Sequence, residues 1–298
     1  MKRGFLIIFA FAFATLSAGA QDASLALATG LTYSDQAFTV YEKATPSFSL
    51  PIGKTSEIAG NGFVKVAFDW ALPSTNLTVP FTYGLEQLRY ELAVKKPSEA
   101  MSAFVFDTGR FAFSDPSGYI LSSPADGFSF LFKYPAVEVA FRSAYTGLLF
   151  LDDSNISMTL ADQARISAAT ELGGSPRFIA QADLTLPRLF GQTFVLSCLS
   201  QNDLNPTTSL AEEGATSYEI GKGGKFATQY FELIASGLAV TNEYNVFFAY
   251  GSGTTLTWLA DSISSSGYSY QYKYISSFLA GAYASVPLSL PKPFNGSS

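Results

Sequence analysis

Apolar and polar residues alternate with a period of two through most of this chain. Gly62–Trp70 places Val64, Val66, Phe68 and Trp70 on one face and Lys65 and Asp69 on the other. Gln87–Lys95 sets Leu88, Tyr90, Leu92 and Val94 against Gln87, Arg89, Glu91 and Lys95. Phe128, Phe130, Phe132 and Tyr134 alternate with Ser129 and Lys133, and Val137, Val139 and Phe141 with Glu138 and Arg142. Phe178, Ala180, Ala182 and Leu184 alternate with Arg177, Gln181 and Asp183. Each stretch predicts a strand with one apolar and one polar face. Leu85, Leu88 and Leu92 also fit helical spacing, but strands flank them on both sides, so a strand is expected there too.

The connections fall into two kinds that alternate. Long Ser/Gly/Asp/Thr-rich loops are expected around 73–81, 114–126, 146–176, 201–225 and 262–267, and short turns around 51–57, 96–99, 135, 187–192 and 241–243. An antiparallel up-and-down sheet with one crowded rim and one open rim has this pattern. About 12–14 strands are expected. Leu279–Leu290 reads as the last of them, running outward, before the chain stops at PKPFNGSS. An outward final strand without a terminal aromatic (Phe294 lies nearby) implies unusual closure or a chain incomplete at its C-terminus.

Two architectures share this pattern. In a β-sandwich the apolar faces meet in a core, whereas in a transmembrane barrel they face lipid and the polar faces line the interior. GYSYQYKYI at Gly267–Ile275 puts Tyr268, Tyr270, Tyr272 and Tyr274 on one face. Rings with a hydroxyl suit a water–lipid boundary, which favours the barrel.

The N-terminus adds weight to the barrel. Met1–Ala20 has Lys2 and Arg3, then an apolar run at Phe5–Phe13, then a small-residue Ser-Ala-Gly-Ala stretch. This reads as a secretory signal peptide, leaving 21–298 as a single domain. Its loss takes the formal charge from −6 to −8. The one cysteine, Cys198, alternates with Phe194 and Leu196, so it is expected to face lipid or core, and no internal disulfide can form. An exported chain without disulfides, only 14% charged and 15% aromatic, suits the bacterial outer membrane. Its acidic balance speaks against nucleic acid as a partner.

Phe106–Gly127, FDTGRFAFSDPSGYILSSPADG, resembles a segment of bacterial outer-membrane porins and export channels. In those barrels a strand ends in Gly-Arg, an Asp-bearing loop follows, and an Asp-Gly pair leads into the next strand. Gly109, Arg110, Asp115, Gly118, Asp126 and Gly127 carry the resemblance, which covers some 20 residues. It implies a loop that folds inward and narrows a pore, with Arg110, Asp107 and Asp115 setting ionic preference. Phe104 and Phe106 share a face with Arg110 unless Gly109 sits in a bulge, so Arg110 could instead pair with a nearby carboxylate and pin the strand end.

Enzymatic chemistry finds little support. The chain has no histidine, which removes Ser-His-Asp and Cys-His arrangements and His-ligated zinc. No enzyme activity, cofactor or metal is expected. Asp152-Asp153 and Glu212-Glu213 read as solvated loop charges. GKGGKF at 221–226 and GSGTT at 251–255 match no phosphate loop and read as hairpin turns. The expectation is a porin-like channel for passive diffusion of small solutes. Lys65, Asp69, Arg89, Glu91, Arg110, Asp115, Lys133, Glu138 and Arg142 are the candidate lining residues. Two alternatives stay open: a barrel that binds a host ligand through loops 146–176 and 201–225, and a secreted β-sandwich. Homo-oligomerisation is also left open.

Overall fold

The computed structural model describes residues 22–34, 37–73, 81–149, 159, 162, 174–205, 212–216, 225–239 and 242–285. The expected signal peptide lies outside them. The described chain is all-β. The first six strands are β1 (Asp22–Ser34), β2 (Ala37–Lys54), β3 (Ile58–Pro73), β4 (Phe81–Lys95), β5 (Ala103–Ser114) and β6 (Ser122–Lys133). The next six are β7 (Glu138–Tyr145), β8 (Arg177–Leu189), β9 (Gln192–Asp203), β10 (Phe226–Ala239), β11 (Asn242–Ala260) and β12 (Tyr268–Ser285). They form one sheet in chain order, each strand antiparallel to the next. β1 and β12 are its two edges, and no ladder joins them.

The loop pattern read from the sequence holds in part: the longest connections share one rim, but so does the two-residue step after β1, and 96–102 on the other rim is as long as 115–121. The strand ends joined by connections 35–36, 74–80, 115–121, 146–176, 204–225 and 261–267 lie on one rim. The strand ends joined by connections 55–57, 96–102, 134–137, 190–191 and 240–241 lie on the other. Leu85–Leu92 is strand, as its flanks required.

Two expectations need correction. The last strand is not Leu279–Leu290 running outward. β12 runs from Tyr268 to Ser285 toward the short-turn rim, because its ladder with β11 continues unbroken from Ala260↔Tyr268 to Glu243↔Ser285. GSGTT is not a hairpin turn but the middle of β11, where a Cβ at Gly251 would meet the Tyr230 ring at 2.8 Å.

The sheet is curled. Strands lie about 4.8 Å apart, so a flat sheet would hold β5 and β10 roughly 24 Å from each other. Yet the Ser117 N–H, in the β5–β6 connection, donates to Glu232 Oε2 of β10 at 3.3 Å. Tyr119 stacks on Phe247 of β11 with ring centroids 4.9 Å apart. The face that these contacts cross is the inner one. Phe111 and Phe113 of β5 cluster on it with Leu121, Ala125, Ala144, Ile179 and Leu199.

Polarity across the wall is reversed relative to a water-soluble sheet. On β7 to β10 the outward residues Phe141, Leu196 and Phe231 are close to half exposed (49%, 48% and 49%). The inward residues Gln181, Gln201 and Glu232 are 3%, 1% and 3% exposed. Cys198 is exposed on the apolar outer face, as its alternation required. Among the described residues no helix is long and apolar enough to cross a membrane, which says nothing about crossing by strands.

Two glycines tighten the wall where β5 and β6 approach their loop. Gly109 and Gly127 are register partners. Gly109 has φ +109°, and a Cβ there would lie 2.3 Å from the Leu88 carbonyl oxygen. A Cβ on Gly127 would lie 2.0 Å from the Ser143 carbonyl oxygen and 2.6 Å from Ala144 Cα. Neither backbone can move aside without opening the ladder. Gly127→Ala should therefore lower folding stability by about 1–3 kcal/mol, read as a shifted chemical-denaturation midpoint. An unchanged midpoint would mean that β6 and β7 do not approach this closely.

Candidate functional site

The β5–β6 connection folds inward around one carboxylate. Asp115 Oδ1 accepts from the N–H groups of Leu121 at 2.7 Å and Ile120 at 3.0 Å. Its Oδ2 accepts from the Gly118 N–H at 2.8 Å and from the Ser117 hydroxyl. An aspartate followed by small and turn-forming residues captures the backbone beyond it in this way. The loop is thus a rigid finger. Leu121 roots it in the inner cluster, and Ser117 and Tyr119 carry its tip to β10 and β11.

Beside the finger the inner wall carries paired ions. Glu86 bridges Lys43 at 3.2 Å and Lys65 at 2.6 Å. Arg89 meets Asp107 at 2.7 Å and Glu91 at 3.4 Å, and its guanidinium lies over the Phe63 ring. Arg142 reaches Asp183 at 3.7 Å and donates to the Ser114 carbonyl oxygen. Lys133 and Glu138 pair at 3.6 Å beside the 134–137 turn. Both signs occur in each group; Lys43 and Glu86 reach from β2 to β4 across β3, and the other pairs join adjacent strands or positions along one strand.

A second cluster ties the long loops to the rim. Arg177, fully buried, donates to Asp203 Oδ1 at 2.9 Å and bonds to Asp162. Its guanidinium stacks over Phe226 at 4.4 Å. Asn205 Nδ2 donates to Asp162 at 2.9 Å, as does the Thr159 N–H at 2.8 Å. Burial alone would raise the Asp162 carboxyl. Arg177, Asn205 and Thr159 outweigh it and hold the group below its usual 3.8.

Of the residues singled out from the sequence, Lys65, Arg89, Glu91, Lys133, Glu138 and Arg142 stand on the inner face in ion pairs, and Asp115 is buried in the finger. Asp69 pairs by register with Lys43 and Thr82, and its side chain lies outside the described residues. Arg110 falls on the opposite face from Asp107, in line with Phe104 and Phe106. There it bonds Asp126 at 2.5 Å and donates to the carbonyl oxygens of Leu85 and Leu149. Gly109 introduces no register shift that would turn it inward. Sequence reasoning missed Lys43, Glu86, Asp183 and Glu232 as members of the wall. Of these, only Asp183 had been placed on a polar face.

The tyrosine row divides. Tyr268, Tyr272 and Tyr274 are at least half exposed on the outer face. Tyr270 is buried with Leu256, against Trp258 and Ala215. Its backbone bonds Ala215 and Gly214, so a piece of the β9–β10 loop covers the outer edge of β12 at that point.

No protein-family model matches this chain, and no curated protein matches it in sequence.

The Arg177 cluster yields a signed pH dependence. Because the folded Asp162 carboxyl sits below its unfolded value, its contribution is complete above about pH 4 and fades as pH falls through the folded value. Asp162→Asn should lower the thermal midpoint at pH 7, and the gap to the parent protein should close on acidification below about pH 4. A gap that stays constant to pH 2 would deny Asp162 this role. Arg177→Met, which strands two buried carboxylates, should cost about 3–5 kcal/mol.

Proposed function

We propose that the sheet closes through β1 and β12 into a transmembrane β-barrel of the bacterial outer membrane, and that this barrel passes small polar solutes by diffusion. The observation that carries the proposal is the reversed polarity of the wall. Apolar side chains are exposed on the outer faces of successive strands while ionic and amide groups are held inside. An apolar surface this extensive is costly in water and favourable in hydrocarbon. The ion pairs demand the converse, an interior that is wet or richly hydrogen-bonded.

Several further features support closure. An even number of strands lets β1 and β12 meet antiparallel, which an odd number would forbid. Both edges begin or end on the short-turn rim. With Gly214–Ala215 on β12 at Tyr270, Tyr272–Ser285 remains for the 13 residues of β1. Every strand except the eight-residue β7 has 12 or more residues, enough for a tilted crossing that needs about 9–11. A 12-strand barrel is wide enough to keep a lumen beside the inward finger.

The path for solutes runs between the finger and the β2–β5 wall, past Lys43, Lys65, Glu86, Arg89, Glu91 and Asp107. Mixed charge there gives little preference between anions and cations. Recordings of the folded protein in planar bilayers should show a stable conductance with a small reversal potential across a salt gradient. Lys43→Glu with Lys65→Glu surrounds Glu86 with like charge and should move that potential clearly toward cation preference. A membrane-inserted, folded protein that never opens would refute the channel. Loss of ligand binding on deleting 217–224, with conductance unchanged, would transfer the function to the loops.

A further inference from the structure

The inner face of β11 and β12 is unlike the ionic wall of β2 to β5. Ala249 of β11 pairs with the inward Glu232 on one side and with Leu279 on the other. Directly paired side chains share a face, so Ile275, Ser277, Leu279, Gly281 and Tyr283 are the inward positions of β12. Their partners on β11 are Gly253, Gly251, Ala249, Phe247 and Asn245. None of these positions carries a charge. Ile275, Leu279 and Tyr283 are 43%, 44% and 59% exposed. The glycines raise no side chain beside them, and the Phe247 ring lies over Gly281. The strip is therefore an apolar surface turned toward the interior.

The finger and the cluster at its root take up the side of the interior lined by β5 to β10. What is left is bounded by β11, β12 and, on closure, β1 to β4. β1 adds little bulk there. Ser24 bonds Ser47, the register partner of the inward Lys65, so Ala26 and Ala28 also turn inward. The open space thus lies between an apolar strip and the ions Lys65, Glu86 and Arg89, with small side chains between them. Four strand steps of about 4.8 Å separate β12 from β4, roughly 19 Å along the closed wall. Leu279 and Arg89 shorten that span from both ends, so a body the size of a dipeptide can touch both walls.

We propose that the favoured solute is a zwitterion with apolar side groups, of the class of short apolar peptides. This rests on the channel reading and names what the channel takes. A passage for purely polar solutes gains nothing from exposed Ile275, Leu279 and Tyr283, which are costly against water and favourable against an apolar body. The opposite wall offers both signs within a few ångströms, since Glu86 stands beside Lys43 and Lys65 and Arg89 beside Glu91 and Asp107. That arrangement suits an ammonium and a carboxylate on one molecule better than a net charge of either sign.

The test is block of the ion current in planar bilayers by leucyl-leucine and by glycyl-glycine. The larger peptide should block at a concentration about tenfold lower, the weight of partly burying its two side chains. Leu279→Ser with Tyr283→Ser should bring the two concentrations together, and the current without peptide shows that this variant is folded and inserted. Leucyl-leucine capped at both ends, with the same apolar body and no charge, should block several-fold less well than the free peptide. Equal block by leucyl-leucine and glycyl-glycine in the parent protein would overturn the assignment while leaving the channel intact. Equal block by the capped peptide would make the strip a site for any apolar chain, acyl chains included, and would overturn the zwitterion. Calorimetric binding of leucyl-leucine to the protein in lipid nanodiscs decides the site without conductance. Binding that the double variant loses, in a protein that never conducts, would overturn the channel and keep the site, and no binding there would overturn both.

Discussion

Everything in this wall depends on ionic side chains meeting partners across neighbouring strands on a single face. Arg89 of β4 finds Asp107 of β5, Arg142 of β7 finds Asp183 of β8, and Lys65 of β3 finds Glu86 of β4. Side chains alternate strictly along a strand, so a slip of one residue in any of these ladders would send the charges outward and bring Leu92, Phe106 or Phe141 inward. Each such slip breaks the pairs and strands charge among apolar neighbours. Polarity therefore fixes register at β3–β4, β4–β5, β6–β7 and β7–β8, without a disulfide.

The same rule explains why the two rims differ. On the short-turn rim the connections have little to do beyond reversing the chain, and a close pair such as Lys133 and Glu138 suffices. The long-loop rim also holds described loop residues that lie outside the twelve strands. It does so with buried charge: Arg177 between Asp162 and Asp203, and Arg110 between Asp126 and two carbonyl oxygens. A planar guanidinium donates in several fixed directions at once, so one arginine can anchor loop and strand together.

How far the sequence could be read follows from the distance over which each feature is determined. Strand identity, facing and the alternation of loop lengths are local, and they were legible residue by residue from Val64 to Leu184. Glu86 was not, because it occupies a bulge at which Lys65 pairs with Gln87 and Val66 with Leu85, a shift that period-two counting passes over. Glu232 was not, because its partner Ser117 is 115 positions away and meets it only once the sheet has curled. Tyr270 looks like its three neighbours in sequence and differs only because Ala215 arrives from another hairpin. Arg110 kept its outward parity. The resemblance that placed it in a pore would have required a bulge that Gly109 does not supply.

Gly109 and Gly127 nonetheless have a clear part in directing the finger. At both positions a side chain would collide with the backbone of the next strand outward, β4 on one side and β7 on the other. Their absence of a Cβ lets four strands crowd together just below the loop. Above that level Phe111 and Phe113 share one inner cluster with Ile179 and Leu199. Between Ser114 and Ser122 the chain folds over these rings, and Asp115 provides the acceptor for the N–H groups of Gly118, Ile120 and Leu121. The inward course of the loop ends at the contact with Glu232.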